Sequence, residues 1–187
     1  MAGHGEENPW TTLGSREVYD NPWIRVREDR VIRPDGRPGI YGVVHYKNVG
    51  IGVLPVDDLG RVWLVGQYRY TLGLYSWEIP EGGCPDGEAP EDAARRELRE
   101  ETGIEADSLE RIGESHLSNS VGDERAIIYR ATGLSLGHSQ PEGTERLQVR
   151  RFDWDEAWTL LRRGELTDSM TVIAMLHEAV RRGQGLA

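Results

Sequence analysis

Three glutamates, Glu97, Glu100 and Glu101, fall within five residues directly after a glycine-rich stretch, in the segment GGCPDGEAPEDAARRELREETGI that covers 82–104. The segment carries a helical pattern, so Glu97 and Glu101, four apart, share one face and Glu100 stands one step round from them. Like charges at that spacing cost a few tenths of a kcal/mol per pair, so the cluster calls for a cationic partner. Arg95, Arg96 and Arg99 are at hand to provide it. So are divalent cations: oxygen-rich clusters suit Mg²⁺, which is typically held by one or two carboxylates together with the phosphates of a substrate. A solvated face of mixed charge is the bland alternative.

The spacing favours the metal. Gly82, Glu88 six positions on, then Arg96-Glu97-Leu98-Arg99-Glu100-Glu101-Thr102-Gly103-Ile104 gives nine restricted positions over 23 residues. That pattern resembles the signature box of the Nudix hydrolases, with Leu98 and Ile104 as its bulky aliphatic positions. The resemblance implies hydrolysis of a nucleoside diphosphate linked to another moiety, with Mg²⁺ (or Mn²⁺) as cofactor. Glu97 and Glu101 match the principal metal ligands and Glu100 a further one with a possible catalytic part. Glu81 occupies the position whose backbone carbonyl often completes the coordination. Glu88 and Arg96 match the pair that pins the loop to the helix beside Gly82, orienting the ligands rather than touching the metal. The metal would offset pyrophosphate charge and generate a nucleophile from water near neutral pH.

The resemblance continues outside the box. The lead-in VWLVGQYRYTLGLYSWEIPEGG (62–83) resembles the ADP-ribose and nucleoside diphosphate sugar pyrophosphatase branch through Gln67, Arg69, Trp77, Glu78 and Pro80. Arg69 is then expected to grip a phosphate in the fork geometry of arginine, unless it is a surface strand-end residue. Glu78 either meets the substrate or clamps the loop. Downstream, Glu124-Arg125 followed by Tyr129 matches another segment of that branch and makes Arg125 a substrate contact. The acidic loop before the strand at Leu147 puts Glu145 nearest the role of catalytic base, with Glu142 second. Segment 17–46 resembles the strands through which the branch dimerises, and Trp23 or Tyr41 could stack on a nucleobase. One departure bears on substrate: Asn119 and Ser120 stand where ADP-ribose pyrophosphatases often carry proline. CDP-alcohols, dinucleoside polyphosphates and nucleoside triphosphates stay open as substrates, as does a non-catalytic sensing module.

Elements must position these groups. From Val18 to Ile32 β-branched alternation runs around a turn at Asp20-Asn21-Pro22; a second turn at 34–39 leads to Ile40–Tyr46, a hairpin. Gly50–Val56 and Arg61–Gln67 read as a second pair across Asp57–Gly60. Ala89–Thr102 is a helix with Pro90 in its first turn and Gly103 at its stop. Strands are expected at Leu109–Leu117, Ala126–Ala131 and Leu147–Phe152. A capping box of Asp153 with Glu156 opens a helix at Trp154, and a last helix, about Asp168–Arg182, shows Val172, Ile173, Leu176, Ala179 and Val180 at helical spacing. Mixed strands and helices mean an α/β class; the resemblance implies an α/β/α sandwich around a mixed sheet with an N-terminal antiparallel strand extension. The expected organisation is a loose tail over 1–14, a dimerising strand segment over 15–48, and a Nudix domain over 49–187.

Composition limits the partners. With 22 basic against 32 acidic residues the net charge is −10, which disfavours a nucleic-acid or membrane surface. A single cysteine, Cys84, permits no intrachain disulfide and fits a reducing compartment. The start MAGHGEENPW lacks the regions of a signal peptide, and no apolar run approaches a membrane span. A cytoplasmic homodimer acting on a small nucleotide sugar is the expectation.

Overall fold

A computed structural model describes residues 7–137 and 147–184. The chain divides into two compact units, one of 1–47 with 116–124 and one of 48–115 with 125–187.

The first unit is an antiparallel sheet of β1 (Thr11–Asp20), β2 (Ile24–Ile32) and β3 (Pro38–Tyr46). Strand structure begins at Thr11, so the last four residues of the expected tail are ordered in β1, and Trp10 packs edge-on against Tyr41. Asn21 makes the first turn: its Oδ1 accepts the N–H groups of Trp23 and Ile24, both at 2.8 Å, the local bonding that suits asparagine to turns. Gly36, at φ 79°, closes the second turn. Segment 116–124 straps onto β3 through Val44 N–H to Val121 O (2.8 Å) and the His45–Asp123 pair (2.7 Å).

In the second unit β4 (Val49–Pro55) is the pivot. It pairs antiparallel with β7 (Glu81–Cys84) and parallel with β9 (Arg125–Leu136), and β8 (Ile104–His116) completes this four-stranded mixed sheet. Residues Ile51–Pro55 are all buried, as expected of a strand covered on both faces. Its alternation separates those faces. Ile51 and Val53 join Ala93, Ala94 and Leu98 of α1 (Pro90–Thr102) in one core, while Gly52 lies against Met170 at the start of α3 (Ser169–Arg181). Helices on both sides of a mixed sheet give the expected α/β/α sandwich. A second sheet, β10 (Gln148–Phe152)–β5 (Val62–Arg69)–β6 (Leu74–Glu78), is antiparallel, and α2 (Trp154–Arg162) follows it.

Three expectations need correction. The segments Gly50–Val56 and Arg61–Gln67 do not pair as a hairpin: beyond one bridge, Val56↔Val62, β4 and β5 part into different sheets. Their turn is held by Asp57, which accepts from Leu59 N–H and bonds Arg61 through both backbone and side chain. The capping box of α2 is not made, because Asp153 caps nothing with its side chain and Glu156 pairs with Arg150. On α3 the buried stripe is Met170, Thr171, Ala174, Met175, Glu178 and Ala179, and Val180 is exposed. Ion pairs explain the displaced stripe: buried Glu178 accepts from Arg130 and Arg182, both at 2.8 Å, so a charge is tolerated inside.

Candidate active site

The box assembles at the junction of β7 and α1. Pro90 starts the helix at a position where its missing N–H costs nothing, Glu91 and Asp92 lie in the favourable first turn, and Gly103, left-handed at φ 70°, ends it. The three glutamates therefore fall in the last turns, pointing back toward β7.

Arg96 is the hub. Its guanidinium makes a two-pronged pair with Glu88 (3.0 and 2.9 Å) and reaches Gly83 O at 2.8 Å, and its remaining nitrogen meets Glu97 at 2.6 Å and Glu100 at 3.2 Å. One side chain thus ties the loop to the helix and offsets the glutamate repulsion, as only a planar fork can. The hydrogen bonds that Arg96 donates to Glu88, then those to Glu97 and Glu100, outweigh burial and hold the arginine firmly cationic; in return Arg96 keeps the Glu88 carboxyl below its ordinary range. Arg95 stands apart from the hub and bonds Glu91 and the carbonyl of Ala106 instead.

Gly82 is required by space. A Cβ there would sit 2.2 Å from the Glu97 carboxyl carbon, so glycine makes the cradle in which that carboxylate lies. Next to it, the Glu81 N–H donates to Glu101 Oε2 at 3.0 Å and fixes a side chain that is only 2% exposed.

A second arginine organises the approach. Arg69, at the end of β5, bonds Glu78 Oε1 and Oε2 through Nε (3.1 and 2.9 Å) and Glu78 Oε2 through Nη2 (2.5 Å), and the same nitrogen meets Glu81. Burial disfavours its charge, but the Glu78 bond and the charges of Glu81, Glu78 and Asp168 more than compensate. Two of its nitrogens, Nε and Nη2, thereby meet carboxylates. Glu78, its side chain 3% exposed, is held by this pair. The Glu81 carboxyl is pushed well above the usual carboxylate range, first by burial and then by the charge of Asp168, with Arg69 opposing. Its Oε2 is buried without a hydrogen-bond partner.

The other expected residues have neighbours of their own. Arg125 faces Glu114 at 3.4 Å, and its charge also acts on Cys84 within the box. Trp23 and Tyr41 belong to the first unit: Trp23 is 69% exposed beside its turn, and Tyr41 donates to the carbonyl of Ser120 at 2.8 Å. Glu142 and Glu145 lie outside the described residues. Two neighbours of the site escaped the sequence. Asp168 and Thr171 read only as the start of a helix, yet Thr171 accepts the N–H of Ile79 at 2.9 Å, between Glu78 and Glu81. An Asp-x-x-Thr start signals a cap; nothing local signals its reach across 92 residues of chain.

The donor set fits a hard divalent cation. It offers carboxylate oxygens, a glycine cradle for one of them, a backbone clamp on another, and an orphaned buried oxygen on Glu81. Among the described residues no three such groups already converge as a cage, because Glu97 and Glu100 are turned to Arg96.

Comparison with known proteins agrees with this geometry. A nucleoside diphosphate sugar hydrolase N-terminal domain matches residues 10–44, and a NUDIX domain matches residues 46–171. An ADP-ribose pyrophosphatase of Mycobacterium tuberculosis is 30% identical over 175 residues, covering 91% of this chain and 83% of its own. A CMP-5'-(N-acetyl-N-hydroxy-3-aminopropyl)phosphonate hydrolase of Streptomyces rubellomurinus is 30% identical over 167 residues, covering 89% and 81%. The crystal structure of an ADP compounds hydrolase superposes with a TM-score of 0.82 over 98% of this chain and all of the other, at 20% identity, which speaks for the fold alone. With the box intact at its nine positions and the domain match spanning most of the chain, the protein belongs to the Nudix family of hydrolases.

Proposed function

We propose that this protein is a divalent-metal-dependent pyrophosphohydrolase that splits ADP-ribose or a nucleoside diphosphate sugar into a nucleoside monophosphate and a sugar phosphate. The observation that carries the reading is the Arg96 hub, which holds Glu88, Gly83 O, Glu97 and Glu100 at once beside the Gly82 cradle. The match of the N-terminal segment to nucleoside diphosphate sugar hydrolases and the likeness to an ADP-ribose pyrophosphatase support the substrate class.

Glu97, Glu100 and Glu101 would hold Mg²⁺ (or Mn²⁺), with the Glu81 backbone as a further donor. When bound, the cation supplies charge neutralisation for the pyrophosphate and acidifies water. The chain's own residues do the rest. The Glu81 N–H keeps Glu101 in place, Gly82 leaves room for Glu97, and Arg96 holds Glu97 and Glu100 against the loop. Arg69 keeps the two carboxylates that flank the strand crossing, Glu78 and Glu81, together. Glu145, with Glu142 as the alternative, takes the proton from the attacking water as the phosphorus–oxygen bond of the pyrophosphate breaks and the leaving phosphate departs. Arg125, Trp23 and Tyr41 are proposed substrate contacts.

Exposed Val18, Tyr19, Trp23 and Ile40 on the first unit support a homodimer through the 15–48 segment. The lone cysteine supports a cytoplasmic setting, and among the described residues no helix is long and apolar enough to cross a membrane. A second reading, a CMP- or CDP-linked substrate, is favoured by the relative that hydrolyses a CMP-phosphonate and by Asn119 and Ser120 in place of proline. Phosphorus NMR of ADP-ribose incubated with the enzyme tests the main reading. Two phosphomonoester signals that appear with Mg²⁺ and not with EDTA are expected; an unchanged pyrophosphate doublet both there and with nucleoside diphosphate sugars, or release of inorganic phosphate, would refute it.

A further inference from the structure

Between β6 and β7 the chain leaves one sheet for the other, and only Ile79 and Pro80 make the crossing. Glu78 ends the first strand and Glu81 begins the second, so the crossing sets the distance and orientation of the two carboxylates that Arg69 bridges. It also sets the Glu81 N–H that holds Glu101.

Three contacts fix it. The Pro80 carbonyl accepts from Val53 N–H at 2.8 Å. The fully buried Ile79 side chain lies over Gly52, where a Cβ would approach its Cδ1 to 2.7 Å. The third comes from far along the chain. Ile79 N–H lies past the β5–β6 ladder, which ends at Val65↔Glu78, and it donates to Thr171 Oγ1 at 2.9 Å. Thr171 is wholly buried, and its hydroxyl in turn donates to Asp168 Oδ2 at 2.8 Å. The same oxygen accepts Thr171 N–H at 2.7 Å, capping α3. A threonine hydroxyl has one proton to give, and Asp168 takes it, which leaves the lone pair aimed at Ile79. The chain Asp168–Thr171–Ile79 is therefore polarised in one direction.

We propose that Asp168 and Thr171 are positioning residues for the hydrolytic site: the cap of α3 holds the β6–β7 crossing so that Glu81 presents its N–H to Glu101 and its carboxyl to Arg69. This rests on the Glu81–Glu101 region being the metal-dependent active site. A helix cap without this role would affect folding stability and nothing else.

Thr171→Val tests it, since it keeps the shape and removes the hydroxyl. Thr171→Ser restores the hydroxyl on a smaller side chain. The readouts are kcat and KM on ADP-ribose, Mn²⁺ affinity by electron paramagnetic resonance, and thermal melting. We expect Thr171→Val to lower kcat and to weaken Mn²⁺ binding, each by about 10- to 100-fold, the range found when groups supporting metal ligands are lost. KM should change little and Thr171→Ser should return kcat and Mn²⁺ affinity to near the parent values. A lower melting temperature with unchanged kcat and Mn²⁺ affinity overturns the proposal. If Thr171→Val does not fold, Asp168→Ser decides: it can still cap the helix but is too short to take the hydroxyl proton as well, and the same split is expected at smaller size, with no split overturning the proposal. Glu101→Gln, run alongside, separates the two failures. Full activity there would remove the active-site reading itself, whereas its loss beside an unaffected Thr171→Val would remove only the positioning role.

Discussion

Gly82→Ala is a single added methyl group whose consequences for fold and for chemistry should differ sharply. The backbone does not need glycine here: Gly82 lies in β7 opposite Ile51, outside the left-handed region. Alanine in a strand loses less chain entropy on folding than glycine, a gain of about 0.4–1 kcal/mol. Against this, the new Cβ would fall 2.2–2.3 Å from the Glu97 carboxylate, which must swing away and give up its 2.6 Å bond to Arg96. A charge-assisted bond of that kind is worth about 1.5–3 kcal/mol when buried, and Glu97, with 12% of its side chain exposed, is close to that case. The two contributions leave a net destabilisation of about 0.5–2.6 kcal/mol, a shift of about 1–10 °C for a domain of this size. Activity has no such compensation. Loss of groups that merely support a metal ligand costs about 10- to 100-fold, and displacing a ligand should cost at least the upper figure, about 2.7 kcal/mol in the barrier. Thermal melting and steady-state hydrolysis of ADP-ribose on one preparation measure both. A folded Gly82→Ala enzyme with kcat/KM near the parent value would refute the claim that Glu97 must occupy this cradle.

Four further outcomes are expected. Glu101→Gln should fold normally and lose turnover by orders of magnitude, measured by product release at saturating Mg²⁺. Glu145→Gln should lower kcat far more than it raises KM, and if Glu142→Gln shows that signature instead, Glu142 is the base. Arg96→Lys keeps the charge but cannot reproduce the two-pronged bond to Glu88 together with the bonds to Gly83, Glu97 and Glu100. It should lower both melting temperature and kcat/KM, the latter by at least about tenfold. Burial acts to raise the Asp57 carboxyl, but the bonds from Arg61 and Leu59 outweigh it and leave it below its ordinary value. Its contribution to stability is therefore present above about pH 4 and lost as pH falls through the lowered value. The cost of Asp57→Asn, read from urea midpoints, should be constant near neutrality and shrink on acidification.

What the sequence reveals and hides here follows from the range of each interaction. The box is legible because its partners are close in the chain: Glu88, Arg96, Glu97 and Glu100 span thirteen residues and meet through helix periodicity and one tight loop. The helices α1 and α3 show themselves by Pro90, Gly103 and Asp168 for the same local reason. The division of β4 and β5 between two sheets is invisible, since a short tight turn looks the same whether the strands pair or part. The shifted stripe of α3 is hidden because Thr171 and Glu178 are polar, and Ile79, Asp168, Arg130 and Arg182 make their burial tolerable. Arg69 is legible as a residue of the site, but its role is not. A strand-end arginine gives no local sign that Glu78 and Glu81 converge on it.

The central claim is that the box glutamates serve metal-dependent cleavage of a nucleoside diphosphate joined to a sugar. Its most direct test is turnover with Mg²⁺, coupled to added phosphatase, across ADP-ribose, ADP-glucose, UDP-glucose, GDP-mannose, CDP-choline, a dinucleoside polyphosphate and a nucleoside triphosphate. Preferential cleavage of ADP-ribose or one diphosphate sugar, abolished by EDTA, is the expected result. Activity confined to triphosphates or dinucleoside polyphosphates, or tight binding of these ligands with no turnover, would contradict it.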